Sequence, residues 1–248
     1  MTELTISKRR TLVIGDIHGA YKALIQVLER ANIQKNDYII FLGDYVDGWS
    51  QTPQVLDFLI QFKMHYNCLF LRGNHDALCL DFLKGKPMQQ MWYFHGGDAT
   101  EKAYQNISGE IKQRHVKFLE SLTNYYLDGK NRLFVHAGFT NLRGVDFEYF
   151  PEMFYWDRTL WELATSVEVK PNHRNFPGRL LLYSETFIGH TPTTRLGSDK
   201  PLNANNVWNI DTGAAFKGRI TVMDVDTKEY WQSDPVFQLY PDEIGRNK

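Results

Sequence analysis

The sequence predicts an α/β protein: an α/β/α sandwich with a mixed β-sheet core flanked by helices. Two observations carry this. Short buried-strand runs alternate with helical stripes in the first third of the chain, and strand runs return near its end without further long helices between them. Thr11 to Ile14 reads as a strand, and Leu24, Val27, Leu28 and Ala31 then fall on one helical stripe. Tyr38 to Leu42 is a second strand, Val55, Leu56, Leu59 and Ile60 a second stripe, and Cys68 to Leu71 a third strand. Two successive β-α-β crossovers predict parallel pairing.

Between Asp76 and Leu122 the pattern turns helical, with Ile111, His115, Phe118, Leu119 and Leu122 on one face, which predicts a helical insertion. Asp128-Gly129-Lys130-Asn131 is a turn leading into the strand Arg132 to Val135. From Phe139 to Leu182 periodicity is weak, and Pro, Asn, Gly and aromatics predict loops and short helices over one face. Further strands are predicted at Thr186 to Ile188, Val207 to Ile210, Ile220 to Val225 and Glu229 to Gln232, the last two as a hairpin through Asp226-Thr227-Lys228.

At 248 residues the chain is expected to form one domain, residues 1–248. Its 43% hydrophobic and 23% charged residues exclude extensive disorder. A formal net charge of -1 provides no general field for polyanions, so a nucleic-acid partner is not expected. Cys68 and Cys79 are too few for a disulfide framework and predict reduced, buried thiols, hence a cytoplasmic protein. The amino-terminal MTELTISKRR has no signal-peptide core, and no apolar run approaches a membrane span of about 20 residues. Lys8-Arg9-Arg10 is read as a solvated lead-in.

Five strands end in polar clusters: Gly15-Asp16-Ile17-His18-Gly19, Gly43-Asp44-Tyr45-Val46-Asp47, Gly73-Asn74-His75-Asp76, His136-Ala137-Gly138 and Gly189-His190-Thr191. Ligands collect at the carboxyl ends of strands in open α/β sheets, so these turns should converge. Convergence gathers Asp16, His18, Asp44, Asn74, His136 and His190 in one cavity. Any one Gly-Asp turn is as readily a structural turn or helix cap. Independent structural reasons for all five together are far less economical than a shared metal site. Oxygen and imidazole donors without thiolate suit Mn, Fe, Zn or Co, and a shared carboxylate can bridge two divalent ions.

These blocks, in this order, resemble the metal-dependent phosphoprotein phosphatase superfamily, of calcineurin-like fold, and above all its short bacterial and bacteriophage branch. Trp92 to Thr100, the triplet Trp156-Asp157-Arg158 and Asp211-Thr212-Gly213-Ala214 are similar to that branch as well. The resemblance implies Asp16 and His18 on a first metal, Asp44 bridging, and Asn74, His136 and His190 on a second, with manganese the expected ion. It implies His75 as general acid assisted by Asp47, a pairing expected to keep the imidazole in place and protonated. It further implies direct attack of a metal-bridging hydroxide, with no covalent phosphoenzyme.

One position departs from the pattern. Gly48-Trp49 stands where the family has Arg-Gly, which removes one phosphate-gripping side chain and leaves Arg158 as the matching clamp. Arg72 is expected to support the Asn74-His75 turn. Trp49 is read as a cap or packing residue in preference to a substrate-stacking one, His115 as partly buried packing, His65 as solvated, and His95 as able to approach the site. The expected activity is hydrolysis of phosphomonoesters, phosphoserine and phosphothreonine in proteins first. The alternative is symmetric cleavage of dinucleoside polyphosphates such as diadenosine tetraphosphate. A metal-free binding module would require every one of the six ligand residues to be vestigial.

Overall fold

The computed structural model describes residues 9–247. The readings of the amino-terminal segment and of Lys8 lie outside the described residues. Among the described residues, ten strands form two five-stranded sheets. The first sheet has the order β10-β9-β1-β2-β3, with β1 Thr11–Ile14, β2 Tyr38–Phe41, β3 Asn67–Phe70, β9 Thr221–Asp224 and β10 Tyr230–Gln232. The second has the order β4-β5-β6-β8-β7, with β4 Tyr125–Leu127, β5 Arg132–Val135, β6 Glu185–Ile188, β7 Leu202–Ala204 and β8 Val207–Asn209.

Each sheet has a parallel trio at its heart, β1-β2-β3 in one and β5-β6-β8 in the other, with antiparallel strands at the flanks. The mixed β core is therefore divided between two facing sheets. Val13, Ile40, Phe134, Phe187, Ile210 and Met223 fill the space between them. The opposite pleats, Leu12, Ile14, Ile39 and Phe41, pack outward on helices. Burial on both faces explains why these strands read as continuous apolar runs.

Helices α1 Tyr21–Arg30 and α2 Thr52–Phe62 cover the first sheet through Leu24, Val27, Val55, Leu56 and Leu59. Pro53 in the first turn of α2 sits where its missing N–H costs nothing. The helical insertion comprises α3 Asn74–Leu83, α4 Gln90–Trp92, α5 Asp98–Tyr104 and α6 Gly109–Glu120, with a π turn over Tyr93–Gly97. Ser108 caps α6 by accepting from the Ile111 N–H at 3.3 Å. Helices α7 Met153–Trp156 and α8 Thr159–Ser166 build the layer outside the second sheet through Phe154, Leu160 and Trp161, and α9 Val236–Leu239 closes the chain against the first.

Several side chains differ from expectation. Arg10 is no solvated lead-in: its guanidinium forks onto buried Asp37 at 3.0 and 2.5 Å, and Arg9 lies over the Tyr38 ring. Arg72 reaches the carbonyl of Leu122 at 3.3 Å, tying down the segment after α6 instead of the Asn74-His75 turn. His115 is fully buried, held by the Tyr104 hydroxyl at 2.6 Å and Asp57 at 3.0 Å, so it is a hydrogen-bonded core residue. His65 is exposed. Cys68 and Cys79 are both free thiols, and burial raises both pKa values, Cys68 to about 12. Among the described residues, no helix is long and apolar enough to cross a membrane.

Candidate metal centre

The carboxyl ends of both parallel trios open into one cavity of about 120 Å³. Asp16 and His18 follow β1, Asp44 and Asp47 follow β2, and Asn74 and His75 begin α3 just past β3. His136 follows β5 and His190 follows β6. All eight side chains are buried. The backbone bends sharply to aim them: His18, Asp44, Asp47 and His190 all adopt positive φ, between 53° and 67°. Each such residue costs on the order of 1 kcal/mol or more, and strain of this kind concentrates where side chains must be aimed.

Close backbone approach explains two glycines. A Cβ on Gly73 would lie 2.1 Å from Asp44 Oδ1, and one on Gly189 would lie 2.1 Å from Asp16 Oδ1. Asp76 locks the turns after β2 and β3 together, accepting the N–H groups of Gly73, Asp44 and Tyr45 at 2.8 to 2.9 Å. Between the sheets, His136 Nδ1 bonds the Leu42 carbonyl at 2.9 Å, and the His190 N–H donates to Asp16 at 3.2 Å.

Donor atoms crowd together at the centre. Asp44 Oδ2 lies 3.5 Å from both His18 Nε2 and His136 Nε2, so one carboxylate oxygen faces both halves of the site. Asn74 Oδ1 is 3.2 Å from His136 Nε2 and 3.0 Å from His190 Nδ1, while Asp16 Oδ2 is 3.7 Å from His18 Nε2. A metal bound at about 2.0–2.1 Å holds neighbouring donors roughly 3.0–3.4 Å apart, so these spacings fit two cations sharing Asp44. Two triplets have ligand atoms within 4.8 Å of one another, His18-Asp44-His75 and Asp44-His136-His190. His190 Nε2 is buried without a hydrogen-bond partner.

The charges point the same way. Burial, followed by repulsion from Asp44, pushes Asp16 up to about 7, and burial with Asp16 and Asp44 does the same to Asp211. Burial opposes the charge on His136, yet Asp44 and Asp16 raise it to about 9, while Asp44 itself is held well below the usual carboxylate range by His136 and His75 despite burial. Burial depresses His18 and, with His136 and Arg158, drives His190 far down, leaving both imidazoles as neutral donors. Neutral imidazoles facing crowded carboxyls are the donor set a divalent cation completes.

His75 sits beside this floor with its Nδ1 hydrogen-bonded to Asp47 Oδ2 at 2.8 Å. The same oxygen accepts from Trp92 Nε1 at 2.8 Å, and Thr100 Oγ1 donates to Asp47 Oδ1 at 2.7 Å. Burial lowers the His75 pKa, and Asp44 and Asp47 only partly offset it. The pairing orients the ring with its Nδ1 on Asp47, while burial works against the charge that the sequence leads us to expect there.

Arg158, Arg195 and Arg246 rim the cavity with His95, Trp156 and Phe216. Arg158 donates to Thr191 Oγ1 at 3.1 Å, and among the described residues none of these three arginines is ion-paired with a carboxylate. Trp49 takes no part: it is fully buried, stacked on Tyr240 at 5.2 Å, with Nε1 on the Ala214 carbonyl. Asp211, Arg195, Arg246 and Phe216 were not among the site residues read from the sequence. Asp211 follows β8 as Asp16 follows β1, so the strand-end rule would have found it; the arginines carried no local signal. A second groove of about 330 Å³ adjoins the cavity and shares His95 and Trp156 with it. A wider groove of about 620 Å³ beside α1 and α2 contains neither of the metal-ligand triplets.

Residues 9–210 match the family model for calcineurin-like phosphoesterases. The chain belongs to that family. The phosphoesterase is 25% identical over 233 residues to the asymmetrical bis(5'-nucleosyl)-tetraphosphatase PrpE of Oceanobacillus iheyensis, covering 88% of this chain and 89% of the relative. It is 26% identical over 234 residues to the protein of the same name from Anoxybacillus flavithermus, covering 85% and 88%. A crystal structure titled as a putative diadenosine tetraphosphatase superposes with a TM-score of 0.62 at 18% identity, over 92% of this chain and 94% of that one. A serine/threonine phosphatase from Saccharomyces cerevisiae superposes at 0.56 and 14% identity, over 92% and 83%. These structural likenesses establish the fold. The phosphoesterase is thus a hydrolase of a family that uses divalent metals, with clusters suited to hold them.

Proposed function

We propose that this phosphoesterase hydrolyses dinucleoside tetraphosphates asymmetrically, releasing a nucleoside monophosphate and a nucleoside triphosphate. The carrying observation is the cationic rim that runs into an aromatic groove. Three arginines around so small a cavity exceed what one phosphoryl group needs, and suit a chain of phosphates. The adjoining groove offers Trp156, 43% exposed, and Met91, 59% exposed, as a surface for a base. Because groove and cavity share His95 and Trp156, a nucleoside in the groove puts its own first phosphorus at the metal floor. Cleavage there is the asymmetrical kind printed in the names of the PrpE relatives, whereas the sequence suggested the symmetric kind.

In this reading Asp16, His18, Asp44, Asn74, His136 and His190 hold two divalent cations, which, when bound, supply Lewis-acid charge and an activated water. Manganese is the ion we propose. Arg158 and its neighbours grip the phosphate oxygens. His75, held through Nδ1 on Asp47, acts in its protonated form and gives the Nε2 proton to the leaving oxygen, a step that matters little for a triphosphate and greatly for an alkoxide. Both thiols being free, we place the enzyme in the cytoplasm. Phosphoserine and phosphothreonine in proteins form the second reading, favoured by the small volume of the cavity, about 120 Å³.

Manganese-loaded protein assayed on diadenosine tetraphosphate and a phosphothreonine peptide, with products separated, tests this directly. We expect AMP and ATP in equal amounts and the higher kcat/KM on the dinucleotide. Turnover of the peptide with the dinucleotide intact would return the phosphoprotein reading, and two molecules of ADP would overturn the placement in the groove.

A further inference from the structure

We infer that Arg246, from the carboxyl-terminal segment, is a phosphate-gripping residue that takes the place left open by Gly48; this rests on the reading of the cavity as a phosphate site. A Cβ built on Gly48 would lie 3.5 Å from Arg246 Cγ, so the stem of Arg246 runs in van der Waals contact beside the point where a side chain at position 48 would begin. Gly48 itself has φ +109°, which an arginine adopts only with strain. Its turn is closed from the other side by Gly96, whose carbonyl accepts the Gly48 N–H at 3.0 Å.

The residues that follow Asp47 hold the segment that delivers this arginine. Trp49 stacks on Tyr240, and a Cβ on Gly245 would lie 2.6 Å from the Trp49 ring. Ser50 donates its N–H and hydroxyl to Glu243 at 2.9 and 2.6 Å, and the Tyr240 hydroxyl donates to Gln51 at 2.6 Å. The Arg246 N–H bonds the Ala215 carbonyl at 3.0 Å, fixing the backbone just before the side chain enters the cavity. Four consecutive residues, Gly48 to Gln51, thus meet the tail, and together they account for the departure of Gly48-Trp49 from the Arg-Gly pattern.

Arg246 is also underused within the protein. Its Nε is buried without a partner, its guanidinium lies 5.2 Å over the Phe216 ring, and it makes no ion pair within 4 Å among the described residues. A mostly buried cation without a bonded anion is costly unless a ligand supplies one, and the cavity it lines is where a phosphate would sit. The planar fork suits two phosphate oxygens at once.

The test uses metal-loaded wild type, Arg246→Ala and Arg246→Lys, with inorganic phosphate as the calorimetric probe and diadenosine tetraphosphate and p-nitrophenyl phosphate as substrates. Losing a hydrogen bond to a charged group predicts roughly 10- to 150-fold weaker phosphate binding and lower kcat/KM in Arg246→Ala. Metal content should stay at the wild-type value and melting temperature should not fall, added guanidinium should recover part of the loss, and Arg246→Lys should fall between. A wild type that binds phosphate and turns over, with Arg246→Ala equal to it, overturns the clamp alone. Loss of fold or metal in both variants, without rescue by guanidinium, shows a structural role and also overturns it. A wild type that neither binds phosphate nor turns over overturns the reading of the site, and the clamp with it.

Discussion

The floor of the site and its rim are built on different principles. The floor comes from strand-end turns whose backbone is pinned on every side: Asp76 alone accepts three N–H groups there, and Asp47 accepts three side-chain or ring donors. The rim comes from α8, a 3-10 turn at Thr193–Leu196 and the carboxyl-terminal tail, with few bonds holding each guanidinium. A rigid floor fixes the positions of charges that must not move, as cation ligands and a proton donor require. A looser rim, whose arginines lack carboxylate partners among the described residues, would select what the floor acts upon. In this family fold, the chemistry would be set by the first region and the substrate by the second.

That contrast breaks if a floor substitution follows the size and shape of the substrate instead of the chemistry of its leaving group. His75→Ala should lower kcat by about 10²- to 10⁴-fold on a phosphothreonine peptide and much less on diadenosine tetraphosphate or p-nitrophenyl phosphate, whose leaving groups need little proton assistance. Metal content should remain near two per chain. Equal deficits on all three substrates would mean that His75 does not deliver the proton, and loss of metal would make it a ligand, as its nearness to His18 and Asp44 allows.

A smaller effect sharpens the electrostatic side. Burial, Asp16 and Asp44 raise Asp211 from an ordinary 3.8 to about 7, so the folded metal-free protein favours its neutral form. Its contribution to stability is complete below the unfolded value near 4 and is lost as pH rises through about 7. Asp211→Asn, which cannot ionise, should therefore gain on wild type between pH 5 and 8 by on the order of 5 °C in Tm when both are metal-free. Thermal melts across that range check it; a difference that does not vary with pH would show that Asp211 ionises freely in the fold.

The same contrast decides what the sequence makes legible. Asp16, His18, Asp44, Asn74, His75, His136 and His190 each follow a short apolar run, so local pattern and the strand-end rule suffice to gather them. Asp211 obeys that rule, and a reading confined to five turns misses it. Arg246 obeys no local rule, because its place depends on Trp49 and Ser50 meeting Tyr240 and Glu243 from the far end of the chain. The lack of an arginine at position 48 was visible; its replacement was not. For the fold, eight of the ten strands among the described residues are legible and their division into two sheets is not, since pairing is a long-range property. The flanking strands Tyr125–Leu127 and Leu202–Ala204 are three residues each, too short for a period to register.

If the floor holds two divalent cations through a shared Asp44, protein purified without chelator should carry them, and its metal content can be measured by elemental analysis. About two ions per wild-type chain are expected, with loss of both ions and of turnover in Asp44→Asn, because removing the common ligand would dismantle both halves. Full turnover by chelated wild type with metal content near zero, or an Asp44→Asn protein that keeps two ions, would contradict it.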